Sequence, residues 1–179
     1  IYLWFMLELY VMGHAKSSWD DPKLYDHERP LNKRGKKSAK LICEFFVKNK
    51  IKLDLILLSS SERTKKTLRI LLSKITKPKK ITISKKIYLA HENDLLKKIK
   101  KIDKKYKKVL LINHEPAVRN LTIRLSKNIN THNYKLMNYK FPTSAFAKII
   151  FEVNEWPLIE NKGILKEFIR PKDLQDSKE

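Results

Sequence analysis

Two apolar runs in this chain each stop at a histidine. LELYVM ends at Gly13 and His14 of GHAKSSWD, residues 13–20, and KKVLLIN ends at His114. A third run, LDLILLS, leads into SSSERTKKT, residues 59–67, which places Arg63 at the start of a helical pattern. These side-chain types suit phosphate chemistry. A neutral imidazole can attack phosphorus and hold it as a covalent phosphohistidine. A guanidinium can grip two phosphoryl oxygens at once. A second imidazole, when protonated, adds positive charge opposite the developing anion. The helix start near Ser60–Arg63 adds unpaired N–H groups. His14, Arg63 and His114 together would surround one tetrahedral anion.

Far apart in the chain, these residues can meet only if the fold gathers them. Residues 7–12 read as a central strand and 13–31 as a loop containing Pro22 and Pro30. A helix is expected from Asn32 to about Asn49, with Asn32 as its cap and Leu41, Ile42, Phe45 and Phe46 on its apolar face. A buried strand at 53–59 precedes a helix in ERTKKTLRILLSKI, capped by one of the serines. A weak strand at 80–84, a basic helix at 92–105, a strong strand at 107–113 and a helix in PAVRNLTIRLS follow. Two more strands, 144–153 and 163–170, end the pattern. Strands alternating with helices predict an α/β sandwich. In open α/β sheets ligands bind beyond the carboxyl ends of the strands, where His14, Arg63 and His114 all fall.

The bulk properties set bounds. A length of 179 residues with 42% hydrophobic content suits one compact domain with a substantial core. The single cysteine, Cys43, excludes a disulfide framework and fits a reducing compartment, so a cytoplasmic location is expected. The formal charge is +21, and only seven of the 40 basic residues are arginine. Such a charge suits nucleic acid, a membrane surface or an acidic protein. Here the lysines are spread over many segments without interleaved aromatics, as on a generally lysine-rich surface, so neither nucleic acid nor membrane is the expected partner. A nucleic-acid-associated protein stays as a separate reading, marked by binding that weakens steeply with salt. The start, IYLWFMLELYVM, lacks a basic leader and is too short to span a bilayer. Residues 1–6 are expected to be an extension, 7–174 one domain and 175–179 a polar tail.

The chemistry-bearing stretches resemble the histidine phosphatase superfamily, and within it the SixA-type phosphohistidine phosphatases. The resemblance runs from Leu7 to Leu174. In GHAKSSWD, His14 stands at the nucleophile and Ser17, Trp19 and Asp20 at matching offsets. DHERPLNKRG, residues 26–35, matches the Arg-Pro-Leu segment, with Arg29 on its arginine. SSSERTKKT aligns Arg63 with the phosphate-binding arginine and Thr67 with a threonine, while Ser60 replaces a proline. LLINHEPAVRNL matches the second-histidine strand, with Asn113 in place of glycine and Glu115 in place of asparagine. FPTSAFAKIIFEVNEW and GILKEFIRPKDL follow the tail pattern and include Trp156. The resemblance implies a three-layer α/β sandwich with a mainly parallel central sheet, phosphoglycerate-mutase-like. It implies His14, Arg63 and His114 as catalytic, and Arg29, Ser17 and position 13 as substrate-binding. It implies no metal and no cofactor, and as partner a phosphohistidine-bearing protein, expected to be acidic, with phosphate as product.

One departure bears directly on catalysis. Gly13 stands where the family carries an arginine. Losing one preorganised donor costs about a hundredfold to a thousandfold in rate, and a bidentate cation is worth at least as much. Glycine leaves a space for water or Lys16 to fill. If Arg29 lies near the phosphate, slow turnover survives. Otherwise the chain is a degenerate scaffold that binds phosphate or a phosphoprotein without hydrolysing it.

The remaining singular residues have plainer readings. Glu92 falls roughly where many superfamily members carry a general acid, but it also suits the start of a helix capped by Asn93 or Asp94. Absence of that acid favours an already activated P–N bond as substrate. His91 reads as loop or cap, His27 as surface beside Arg29 or else the pocket rim, and His132 as loop. Trp19 is expected to pack beneath the loop, Asp20 to form a structural ion pair or to tighten the filter on the substrate, and Trp4 falls in the extension.

Overall fold

The protein is described by a computed structural model over residues 6–175. Residues 1–5 of the expected extension, with Trp4, and residues 176–179 of the tail lie outside the described residues. Strand β1 (Leu7–Gly13) pairs in parallel with β4 (Lys108–Asn113), which pairs in parallel with β2 (Leu55–Ser59), and β2 with β3 (Lys80–Ser84). On its other side β1 pairs antiparallel with β5 (Phe146–Phe151), and β5 with β6 (Gly163–Ile169). The order β3-β2-β4-β1-β5-β6 gives one six-stranded, mainly parallel sheet.

The apolar runs identified in the sequence are its central strands because they are buried on both faces. Leu9, Val11 and Met12 of β1 and Leu110, Leu111 and Ile112 of β4 have no exposed surface. Each such side chain contributes about 1.5–3 kcal/mol on burial. Alternate residues feed two cores, as the strand period requires. Leu9, Val11, Val109 and Leu111 meet α3 (Glu92–Lys100), α4 (Ala117–Leu125) and α5 (His132–Tyr139) on one face. Tyr10, Met12, Leu110 and Ile112 meet α1 (Lys33–Lys48) and α2 (Glu62–Leu72) on the other. A short α6 (Pro171–Gln175) follows β6. The fold is a three-layer α/β sandwich of the phosphoglycerate-mutase-like kind.

Caps fix the helix starts. The Asn32 side chain accepts from the Gly35 amide at 2.7 Å, and Ser61 accepts from Thr64. Three details differ from the sequence reading. The basic helix α3 stops at Lys100 instead of near 105, because Asp103 turns the chain by accepting from the Lys105 and Tyr106 amides. His91, not Asn93 or Asp94, holds the α3 cap position, and its carbonyl accepts from Asp94 and Leu95. His132 is the first residue of α5 rather than loop, with Thr131 as the cap. No helix among the described residues is long and apolar enough to cross a membrane.

Candidate active site

The parallel strands β1, β2 and β4 deliver their carboxyl ends to one edge of the sheet. His14 follows β1, its amide bonded to the Asn113 carbonyl of β4 at 3.0 Å. Arg63 enters from the first turn of α2 after β2. His114 follows β4. The two imidazole centroids lie 5.0 Å apart. Arg63 Nε donates to His14 Nε2 at 3.3 Å. The three residues the sequence singled out therefore converge.

The His14 ring has a defined tautomer. Nδ1 lies 2.7 Å from the Ala15 carbonyl oxygen, which can only accept, so Nδ1 carries the hydrogen. Nε2 keeps its lone pair. Burial pulls the His14 pKa down to about 4, against the Ala15 carbonyl and with help from Arg63 and Arg29. The ring is thus a neutral nucleophile at physiological pH. Thr67 fixes the turn that carries it: its hydroxyl accepts from the Ala15 amide at 2.9 Å and donates to the Arg63 carbonyl at 2.7 Å.

His114 departs from expectation. Burial, the neighbouring His14 and Arg63 bring its pKa down to about 3, so no standing positive charge sits there. Its Nε2 lies 2.8 Å from Ser59 Oγ, and that oxygen accepts from the Ser61 amide at 3.3 Å. The Ser59 hydroxyl can donate to Nε2 or accept from it, so either tautomer satisfies this contact, and the second ring nitrogen is Nδ1. That nitrogen is buried and has no partner among the described residues.

Asp26, on a short 3-10 turn (Asp26–Glu28), joins the cluster unannounced by the sequence reading. One carboxylate oxygen pairs with Arg29 at 3.0 Å, and the other with Arg63 at 3.0 Å and with the Tyr88 hydroxyl. Arg63 also donates to the Asp26 carbonyl at 2.6 Å. Burial raises the Asp26 pKa, but Tyr88, Arg63 and Arg29 together outweigh it and hold the group at about 2. An anion thus already occupies the space between two buried guanidinium groups. Tyr88 stands edge-on to His114, 5.5 Å between centroids, and to His27. A carboxylate three residues before Arg29 was the available signal for Asp26. For Tyr88, reached from an unrelated turn, the sequence held none.

Arg29 and Ser17 are adjacent. Arg29 donates to Ser17 Oγ, to the Ser18 carbonyl at 3.1 Å and to Asp26. At Gly13 the backbone needs no glycine: an added Cβ would find Pro142 O at 3.6 Å and the Phe141 ring at 3.9 Å, ordinary contacts. Neither Arg29 nor Lys16 is among the atoms nearest that Cβ. His27 is not bare surface. It lines the rim, its Nε2 2.8 Å from Ser60 Oγ. Trp19 does not pack beneath the loop. It is 76% exposed, with the Arg29 guanidinium against its ring. Asp20 makes no ion pair with a described residue; its amide donates to Ser18 Oγ. Glu115 turns away to α4, accepting from the Arg119 amide at 3.0 Å. No group of three or more His, Cys, Asp or Glu among the described residues has the arrangement of a metal site.

No described family pattern matches the chain. An uncharacterised Mycobacterium leprae protein is 29% identical over 153 residues, covering 83% of this chain and 92% of that one. Among solved structures, a proposed phosphohistidine phosphatase SixA of Nakamurella multipartitia superposes with a TM-score of 0.80 at 17% identity. That match covers 93% of this chain and 96% of the other. The protein histidine phosphatase SixA complexed with tungstate superposes at 0.77 and 19% identity, covering 94% and 99%. The sheet order and the two packed faces are thus those of a shared architecture: the chain has the fold of the SixA phosphohistidine phosphatases of the histidine phosphatase superfamily.

Proposed function

We propose that the protein is a phosphohistidine phosphatase, weakened by Gly13, working on a phosphorelay or phosphotransfer protein. The observation that carries this reading is the lone pair of His14 Nε2, held beside Arg63 Nε and next to His114. Similarity to SixA structures supports it. In the first step Nε2 attacks phosphorus of the partner's phosphohistidine. The P–N bond to the partner breaks as the new one forms, and the partner's imidazole leaves neutral when its other ring nitrogen is protonated. Nδ1–H stays on the Ala15 carbonyl and stabilises the charge that builds on the His14 ring. In the second step water attacks phosphorus. The His14 P–N bond breaks, neutral imidazole returns, and dihydrogen phosphate departs with both water protons.

Arg63 and Arg29 bind the phosphoryl oxygens as these take over the role of Asp26, with His114 packed beside the nucleophile. Ser17 holds Arg29 in place. Asp26 titrates too low, at about 2, to serve as a general acid at neutral pH. An already activated P–N bond therefore suits this site better than a sugar phosphate ester.

Gly13 supports a second reading on the same scaffold, a binder of phosphate or phosphoprotein without turnover. Incubation with a phosphohistidine protein separates the two. The wild type is expected to release phosphate slowly, His14→Ala to be inert, and Gly13→Arg to gain about a hundredfold in rate. A Gly13→Arg protein as inert as His14→Ala removes the phosphatase reading.

A further inference from the structure

The segment that supports the His14 main chain also forms one wall of a separate cavity. The Ser144 amide donates to the His14 carbonyl at 3.0 Å, and the Gly13 amide donates to the Ala145 carbonyl at 3.1 Å. Just upstream, Phe141, Pro142 and Thr143 line a groove of about 630 Å³. None of His14, Arg29, Arg63 or His114 lines it. Lys16, two residues beyond His14, does.

The charges lining this groove are all of one sign. Lys16, Arg34, Lys37, Lys140, Arg170 and Lys172 line it, drawn from the His14 loop, α1, the end of α5, the end of β6 and α6, and no acidic residue does. Arg170 is paired with Asp173 at 2.7 Å. The other five make no ion pair with a described residue. On other faces basic residues do find acids, such as Lys100 and Arg124 on Glu160. Uncompensated cations converging from several segments repel one another, and a concave wall concentrates their field. The floor is apolar, built from Leu136, Phe141 and Pro142, with Tyr139 at the rim and 86% exposed.

We propose that this groove holds an acidic segment of the phosphohistidine-bearing partner while its phosphoryl group enters the site at His14. The proposal rests on the phosphatase reading for its choice of partner. A small anion is a poorer fit, because the cations are mostly long, exposed lysines and form no closed cradle. A few residues of peptide match the volume. Glutamate and aspartate meet the lysines, and their aliphatic stems and backbone cover the apolar floor. The contact at Lys16 and Pro142 places this segment close along the chain to the phosphohistidine.

Two measurements test it. In the first, a fluorescein-labelled peptide rich in Asp and Glu is titrated with the protein and followed by anisotropy. The acidic peptide is expected to bind better than a neutral one. Lys37→Glu/Lys140→Glu/Lys172→Glu should weaken it by about tenfold, the matching Gln variant by less, and salt should weaken it further. Equal binding of acidic and neutral peptides, or unchanged affinity in the charge-reversed protein, overturns the proposal. So does a single-stranded oligonucleotide that binds more tightly and displaces the peptide. In the second, hydrolysis of free phosphohistidine is compared with that of an acidic phosphohistidine protein. The charge-reversed protein should keep its rate on the free amino acid and raise KM for the protein by about tenfold at unchanged kcat. An equal loss on both substrates overturns the groove. A wild type inert on both that still binds the acidic peptide keeps the groove and removes the phosphatase reading.

Discussion

His14 and His114 are base-form imidazoles in a site built from arginines, and the physical cause is burial. Each ring gives up hydration that its charged form would need, and each sits near Arg63. Because the rings also affect each other, they titrate as a pair. Phosphatase activity is therefore expected to stay level through neutral pH and to fall only as the pair takes up a proton, with an apparent pKa near 4 for kcat/KM. A pH–rate profile checks this. A fall centred near the ordinary histidine value would mean that the nucleophile is solvated. Asp26 makes a second prediction at this scale. It neutralises part of the charge that would hold phosphate, so an incoming anion must replace it. Asp26→Asn is expected to tighten inorganic phosphate binding by about tenfold, measured by calorimetry. Weaker binding would mean that Asp26 chiefly holds Arg63 and Arg29 in position. His14, Arg63 and His114 were legible in the sequence because each histidine directly follows an apolar run and Arg63 opens the helical pattern after a third. Asp26 and Tyr88 were not, because their meeting depends on how the 13–31 loop folds back over the sheet edge.

At the scale of elements, the site depends on how α1 and α2 dock against the turn after β1. Thr67 of α2 ties the Ala15 amide and the Arg63 carbonyl together. From α1, Gly35 lies against the same turn: a Cβ there would fall on the Lys16 carbonyl oxygen and within 2.8 Å of its amide nitrogen. The Asn32 amide also donates to that carbonyl at 3.0 Å. Gly35→Ala should force the helix away from the loop, costing about 2 kcal/mol in urea unfolding despite alanine's better helix propensity. Strand and helix identities were largely readable, because the runs buried on both faces contain almost nothing but aliphatic residues. The exceptions have local causes. Helix α5 carries a weak apolar stripe, with Met137 its only buried residue, so its periodicity is faint. Helix α3 loses its last turn to the side chain and carbonyl of Asp103.

For the whole molecule, the same buried groups set the response to acid. In the unfolded chain His14 and His114 take protons near the ordinary histidine value, and in the folded chain only near 4 and 3. The unfolded state thus binds more protons between those limits, so their effect on stability is absent above about pH 6.5 and grows as pH falls toward 3. Asp26 acts in the same direction lower down: its folded pKa of about 2 adds stability above the ordinary carboxylate range, and that is lost as pH drops through 2. Urea midpoints are expected to decline from pH 6.5 to pH 4, and His114→Asn should flatten that decline. The formal charge of +21 adds self-repulsion at every pH and was plain from composition. The meeting of six basic residues in one groove was not, because five separated segments supply them.

The short contact between His14 Nδ1 and the Ala15 carbonyl also fixes regiochemistry. With one ring nitrogen committed to the backbone, only the nitrogen remote from the main chain can bond to phosphorus. Any phosphoramidate made on this imidazole is therefore the tele isomer, the position isomer being set by a carbonyl one residue along the chain.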